Sequence, residues 1–128
     1  STSNNSASRT ASLLTYPVTL TTPQAVRNRH CTGSSTLTSF FECELFPSSI
    51  SFHDTVLNTD GSITFVGAPA SYTGAWSQPS PDRLIFSYYN NGTLVADFDG
   101  RGVSGACFEG LTIFPNSSYI SLYQVCRQ

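Results

Sequence analysis

The chain lacks the features that mark several large classes of protein. It has no Lys and no Met, and only 11% of its 128 residues are charged, less than half the ~25% of an average globular domain. A net charge of −2 provides no basic surface, so we expect no nucleic-acid partner. Apolar residues nowhere recur at helical spacing over more than two turns, which argues against a helical fold. No apolar run is long enough to form a transmembrane helix.

Motifs for catalysis and cofactor binding are absent as well. Residues 102–105 (GVSG) lack the spacing of a nucleophile elbow, and no phosphate loop or dinucleotide fingerprint occurs. The four Cys include no CxxC pair, and His30 stands beside Cys31 without the spacing of metal ligands. We therefore predict no cofactor, no metal centre and no enzymatic activity.

What the chain does have is abundant Ser and Thr and an aromatic content of 12%. Low charge combined with these residues is typical of an exported β protein. Since no apolar leader is present, we interpret the chain as mature or trimmed, and we expect it to be secreted or in the cell envelope or periplasm, an oxidising compartment. Glycosylation triplets begin at Asn4, Asn91 and Asn116, and they matter only in a glycosylating organism.

The chain divides into a short polar segment and one domain. Residues 1–12 (STSNNSASRTAS) are of low complexity, so we predict an N-terminal tail or arm. Residues 13–128 are predicted to form a single all-β domain, an antiparallel barrel or sandwich of about 8–10 short strands. Residues 24–31 are strand or loop, and residues 77–82 are expected to be a loop. The predicted strands are residues 13–20 (an edge strand containing Pro17), 40–46, 50–57, 62–66, 72–76, 83–89, 93–99, 106–114 and 118–126.

The most definite local prediction is a hairpin around residues 90–92 (NNG). Asn and Gly tolerate the positive φ angles that tight turns need. A two-residue turn would place Asp97 opposite Phe86, so that carboxylates share a face with large apolar side chains. A three-residue turn pairs Phe86 with Ala96 and keeps that face apolar. Because register decides which residues share a face, we predict the three-residue turn.

Four Cys allow three disulfide pairings. If the last hairpin turns between residues 116 and 117, Cys107 lies directly opposite Cys126, so we predict a bridge there. The remaining pair, Cys31 and Cys43, then closes a loop. Each bridge is expected to stabilise the fold by ~2–4 kcal/mol, mostly by restricting the unfolded chain.

His53 and Asp54 lie in the middle of a predicted strand. The turn at residues 58–61 allows two registers: one places Asp54, and the other His53, on the side of Ile63 and Phe65. Either way an ionisable group faces a half-buried side, where it needs a partner or has a shifted pKa. Aromatic side chains are suited to line an interior that holds an apolar or sugar ligand. The predicted ligand-binding residues are His53, Asp54, Trp76 and Tyr88.

Two groups of acidic residues have some, but not all, of the features of a functional site. Asp97 and Asp99 resemble the start of a calcium loop, but the Gly and the closing Glu109 fall at the wrong positions; only a calcium site of another type remains open there. Glu42 and Glu44 share the outer face of a predicted strand. A glycosidase needs two carboxyl groups across a cleft, ~5–10 Å apart, and the sequence does not show such a pair.

Residues 73–76 (TGAW), followed by hairpins, resemble the GxW signature of the calycins, which include the lipocalins and the avidin-like barrels. The resemblance rests on Gly74 and Trp76 and extends over residues 72–126. It implies a meander barrel with a lumen, in which Trp76 closes one end and Arg127 packs on it. The signature falls later in this chain than in the family, and no ligand residue of the family can be assigned.

Three functions follow from these observations, in order of preference. The first is an exported binding module for a small apolar or sugar ligand. The second is a structural subunit of a surface or extracellular assembly, such as a filament, that joins other subunits or copies of itself through its N-terminal strand. The third is a small hydrolase, which requires His53 or Asp54 to converge with Glu42, Glu44 or Glu109 in one pocket.

Overall fold

The computed structural model describes residues 22–34, 36–103, 106–115 and 120–128. Within them, eight antiparallel strands close into a barrel in chain order. This confirms the all-β prediction and selects a barrel over a sandwich. The predicted tail at residues 1–12, the strand at 13–20, Asn4 and Asn116 lie outside the described residues. The elements are β1 (Gln24–Thr32), α1 (Phe40–Leu45), β2 (Ser49–Leu57), β3 (Ser62–Phe65), β4 (Tyr72–Ser80), β5 (Arg83–Asn90), β6 (Thr93–Val103), β7 (Cys107–Ile113) and β8 (Ile120–Arg127).

Each strand pairs with the next, and β1 pairs with β8 to close the barrel. We call the end where β1 begins and β8 ends the base, and the opposite end the mouth. β3 is the shortest strand and joins β4 through only Ser62 and Ile63, opposite Ala75 and Gly74. The wall is therefore thinnest between β2 and β4 near the mouth. In the described part of the chain, no helix has the length and apolar character needed to cross a bilayer.

Alternation along the strands fills the base with apolar side chains. The indole N–H of Trp76 donates to the carbonyl oxygen of Asn58 at 2.9 Å, which ties β4 to the β2–β3 turn at the base. Arg127 is exposed at the same end; in the described residues, the guanidinium groups that lie over aromatic rings belong to Arg27 and Arg29. The core consists of Val26, Leu57, Ile63, Trp76, Leu84, Phe86, Tyr88, Ala96, Phe98, Phe108, Tyr123 and Val125.

The β5–β6 hairpin has a two-residue turn, so the predicted three-residue turn is wrong. Asn91 and Gly92 have φ angles of 51° and 81°, which a type I′ turn requires. A register shift then occurs between Tyr88 and Tyr89, where an extra residue of β6 bulges. The bulge reconciles the tight turn with an apolar inner face: Phe86 lies opposite Phe98 rather than Ala96. The three-residue turn also predicted an apolar face of six residues, and five of them are buried: Leu84, Phe86, Tyr88, Ala96 and Phe98. The sixth, Leu94, is only partly buried, because it precedes the bulge and lies opposite Tyr89.

Residues 40–46 were predicted as a strand, and this is wrong, because residues 40–45 form α1. The hydroxyl oxygen of Ser39 accepts a hydrogen bond from the backbone N–H of Glu42, an N-cap that satisfies one of the free donors of the first turn. Phe40 and Cys43, three residues apart, are buried against the outside of β1 and β8, whereas Phe41 is exposed.

Both predicted disulfides are confirmed. Cys107 lies directly opposite Cys126 on β7 and β8. Cys31 is bonded to Cys43, which fastens α1 to the outer face of β1. The segment at residues 24–31 is a strand, and β4 extends through much of the loop predicted at 77–82, with an irregular register between Ser77 and Ser80.

Candidate functional site

A cavity of about 240 Å³ opens at the mouth of the barrel. Apolar side chains form most of its wall, and Val66 and Ala68 from the β3–β4 loop stand at its rim. A dry cavity of ~150 Å³ is large enough for benzene, so this one has room for a small ring compound. The wall and inner end of the cavity include Phe65, Tyr72, Ala96, Phe114, His30, His53, Thr112 and Tyr123.

Two histidines meet at the inner end of the cavity. His30 on β1 and His53 on β2 occupy inward positions of adjacent strands: His53 lies opposite the buried Asn28, and His30 is the next inward residue of β1. The Nε2 atom of His30 lies 3.0 Å from the Nδ1 atom of His53. One imidazole therefore donates a hydrogen bond to the other.

The hydrogen-bonded chain continues below the histidines. The Nε2 atom of His53 lies 3.2 Å from the hydroxyl of Tyr88 and 3.3 Å from that of Tyr123. Tyr88 donates to the side-chain carbonyl of Asn28 at 3.5 Å, and the amide of Asn28 donates to the hydroxyl of Thr55 at 2.9 Å. This polar layer separates the apolar base from the cavity.

The chain has two consistent arrangements of its protons. In one, Nε2 of His30 donates to Nδ1 of His53, and His53 donates to a tyrosine hydroxyl. In the other, His53 donates to His30 and accepts from a tyrosine. The Nδ1 atom of His30, which makes no hydrogen bond within the described part of the chain, is an acceptor in the first arrangement and a donor in the second.

Burial disfavours charge throughout this layer. It lowers the pKa of His30 to about 4, and the neighbouring His53 contributes by repelling a second positive charge. Burial also lowers the pKa of His53, although the carboxylate of Asp54 opposes that shift. The pKa values of Tyr88 and Tyr123 are raised above their ordinary range, chiefly by burial. Burial therefore favours the neutral form of both histidines at pH 7.

Thr112 has an unsatisfied hydroxyl buried in the wall of the cavity. Its side chain is buried, with 1% of the residue exposed, and its Oγ1 atom has no hydrogen-bond partner. Leaving a buried hydroxyl unpaired costs about 1–3 kcal/mol. A ligand that bonds to this hydroxyl would recover part of that free energy.

The structure brings two of the four predicted ligand-binding residues together. His53 faces inward and contacts Tyr88, so the second of the two predicted registers is the correct one. Asp54 borders the cavity, but its carboxylate is bound by the guanidinium of Arg27 at 2.9 Å and 3.1 Å. Trp76 lies at the base, away from this layer.

Sequence reasoning missed three residues of the site: His30, Tyr123 and Thr112. For His30 the signal was the alternation of inward and outward side chains along β1, where Val26 and Asn28 point inward and His30 follows at the next inward position. It went unused because residues 24–31 were not assigned to a strand.

The acidic residues do not form a second site. Asp99 pairs with Arg83 at 2.8 Å, and Asp97 accepts a hydrogen bond from Ser87. In the described residues, no group of three or more His, Cys, Asp or Glu is arranged to hold a metal ion. Glu44 pairs with Arg29, and Glu109 accepts a bond from Gln124.

These carboxylates lie apart from the histidines inside the barrel. Glu42 belongs to the cap of α1, where it accepts from Thr38, and neither Glu44 nor Glu109 borders the cavity at the mouth. The convergence that a hydrolase would require is therefore not met by these residues.

A wider depression of about 410 Å³ lies on the outer face of β4–β7. Its charged groups, Arg83 and Asp99, already satisfy each other. It contains no unpaired buried group, so the cavity at the mouth is the better candidate.

The geometry defines an eight-stranded antiparallel barrel with a polar layer beneath an open cavity. Comparison of the chain with protein-family models, with curated proteins and with solved structures finds no match.

Proposed function

We propose that the protein is a binding module that holds a small, mostly apolar ligand in the cavity at the mouth of the barrel. The observation that carries the proposal is the unpaired hydroxyl of Thr112, buried in the wall of an apolar cavity. Small-molecule sites combine such walls with a few well-placed polar groups. A sugar is disfavoured, because its many hydroxyl groups would find few partners there.

Two further observations support this proposal. The base is filled by the core side chains, so the cavity is closed at its inner end and does not run through the barrel as a channel. The resemblance of Gly74 and Trp76 to the calycin signature also fits a barrel that binds ligands in its lumen. The two disulfides fit an oxidising compartment, and we propose that the protein is secreted or acts in the cell envelope.

Assembly through strand addition has less support. Since β1 pairs with β8, the described strands offer no full-length free edge to another chain. The role of residues 13–20 in such an assembly remains a proposal, and deletion of residues 1–22 followed by measurement of the oligomeric state tests it.

Titration of ¹⁵N-labelled protein with phenol tests the binding function. We expect saturable shifts of amide signals around Thr112 and Ala96, and no comparable shifts with glucose. Ala68→Trp places a large side chain at the rim and should weaken phenol binding at least about tenfold. The matched control is Ala70→Trp, in the same exposed loop but outside the cavity. Phenol binding that is equal in both variants would contradict the proposed site.

A further inference from the structure

Two polar groups at the inner end of the cavity bear on the chemical class of ligand that it binds. Thr112 has an unpaired hydroxyl, buried in the wall, that donates or accepts once it rotates toward a ligand, and His30 has an Nδ1 atom that does either as the proton chain below it shifts. Both border the same cavity. They lie on β1 and β7, with β8 between them: His30 lies opposite Tyr123 on β8, and Thr112 lies opposite Ser121, the next inward residue of that strand.

Two groups of this kind in the wall of one cavity match a functional group that carries a donor and an acceptor side by side. A carboxylic acid has this arrangement in its neutral form, and its anion accepts two hydrogen bonds. We propose that the cavity binds small carboxylic acids with an apolar body, the carboxyl group being held between the Nδ1 atom of His30 and the hydroxyl of Thr112. This inference rests on the proposed binding function.

The surroundings favour a carboxyl group over a permanent anion. Lys is absent from the chain, no Arg is among the residues that line the described cavity, and the guanidinium of Arg27 is bound to Asp54. A bare carboxylate would therefore lose its water in the cavity without gaining a fixed positive charge. Binding must bring a proton, on the acid itself or on the histidine pair.

The histidine layer is suited to accept a hydrogen bond from the protonated acid. Burial lowers the pKa of His30 to about 4, and burial also disfavours the ionised form of a bound carboxylic acid, so the acid keeps the proton and donates a hydrogen bond to the Nδ1 atom of His30. The titratable groups that contact His30 are His53 on β2 and Tyr123 on β8, and Tyr88 on β5 contacts His53; burial favours the neutral form of all three at pH 7. Among the described residues that border the cavity, Asp54 beside His53 is the one with a charged side chain, and its carboxylate is paired with Arg27.

This arrangement has a direct thermodynamic consequence. Between pH 6 and pH 8 the free acid is ionised and the histidines are neutral, so the complex contains one proton more than its separated components. That proton comes from solvent. The affinity for the acid should therefore fall about tenfold for each unit of rising pH, whereas the affinity for an alcohol of the same shape should not change.

The test compares benzoic acid, benzyl alcohol and toluene by calorimetry and NMR titration at pH 5.5, 6.5 and 7.5. We expect benzoic acid to bind at least about tenfold more tightly than the other two at pH 5.5, and to take up one proton on binding at pH 6.5, measured in two buffers of different ionisation enthalpy. Equal affinity for all three probes, or acid binding without proton uptake, would overturn this inference and leave the binding function intact. If neither phenol nor any of these three probes binds, both the binding function and this inference fail.

Variants separate the carboxyl contact from the cavity itself. Thr112→Val keeps the shape of the side chain and should lower the affinity for benzoic acid about tenfold, with little effect on toluene. His30→Phe keeps a ring and should abolish the preference for the acid. Thr73→Val, an exposed position on β4, is the matched control. A preference for the acid that survives both changes in the cavity would contradict the assignment, and thermal unfolding of each variant shows whether it is folded.

Discussion

At the scale of single residues, His30 is a half-buried imidazole that has another imidazole as its nearest polar neighbour. Neither ring has a carboxylate as its hydrogen-bond partner among the described residues, so folding disfavours the charged form of both. In the unfolded chain each ring returns to an ordinary pKa of ~6.5. The pair therefore makes stability depend on pH within a range that few other groups of this chain affect.

We predict that the free energy of unfolding decreases between pH 7 and pH 5 by about 1–2 kcal/mol, after allowance for solvent screening of these half-buried rings. The sign follows because the unfolded chain binds protons below pH 6.5, whereas folded His30 does so only near pH 4. Urea unfolding followed by Trp76 fluorescence measures the effect.

The variant His30→Gln is the test of this cause, and it should remove about half of the pH dependence or more. The carboxylates of Asp54, Asp60 and Asp99 have lowered pKa values, each chiefly through a side-chain hydrogen bond. Their contribution is lost only below about pH 4, so it does not enter this range. A pH dependence between pH 7 and pH 5 that is unchanged in the variant would rule out the histidine pair.

The residues of the polar layer show how far the sequence predicts the site. An inward His53 was one of two registers, and only the observed pairing of Thr55 with Phe65 decides between them. Tyr88 was assigned correctly to the apolar face of β5. The meeting of His30 with His53, by contrast, depends on which strands are neighbours, and local sequence does not encode that.

At the scale of elements, α1 shows a conflict between two signals in one segment. Phe41, Cys43 and Leu45 alternate with polar residues, as in a strand. Ser39 followed by Glu42 is also the pattern of a capping box at a helix start. The helix prevails because its i, i+3 pair, Phe40 and Cys43, packs on the barrel and the disulfide to Cys31 holds it there.

Loss of the cap should therefore be measurable. We expect Ser39→Ala to destabilise the protein by about 0.5–2 kcal/mol, because the backbone N–H of Glu42 loses its partner. Ser48→Ala, at an exposed position just past α1, is the control and should change stability by less than ~0.5 kcal/mol. Urea unfolding of the two variants side by side measures the difference, and equal stabilities would contradict a structural role for the cap.

The β5–β6 hairpin is a second segment in which two sequence signals conflict. Its two predicted registers each satisfied one requirement, either the tight turn or the apolar face. The bulge in β6 satisfies both by inserting one residue after the turn. A bulge leaves no clear mark in the sequence, so the face of each strand was predictable although the pairing was not.

At the scale of the whole molecule, the cavity results from an uneven filling of the barrel. Large apolar side chains occupy the base, whereas the mouth has small inward residues, such as Ala96 and Thr112, on neighbouring strands. The short β3 adds to this effect, since it leaves β2 without a neighbour on that side near the mouth. The site and the weakest part of the wall therefore coincide.

This coincidence predicts where the barrel opens first. Amide hydrogens of β3 should exchange with solvent at least about 100-fold faster than those in the middle of β5, after correction for intrinsic rates, because β3 is joined to β4 at only two positions and local opening requires few broken bonds. Hydrogen exchange followed by NMR measures both strands in one sample, and β5 serves as the internal reference.

A ligand that fills the cavity contacts Phe65 at the end of β3, so saturating benzoic acid at pH 5.5 should slow exchange in β3 and leave β5 unchanged. If β3 and β5 exchange at the same rate in the protein without ligand, the barrel opens as a whole, and the thin part of the wall between β2 and β4 does not open first.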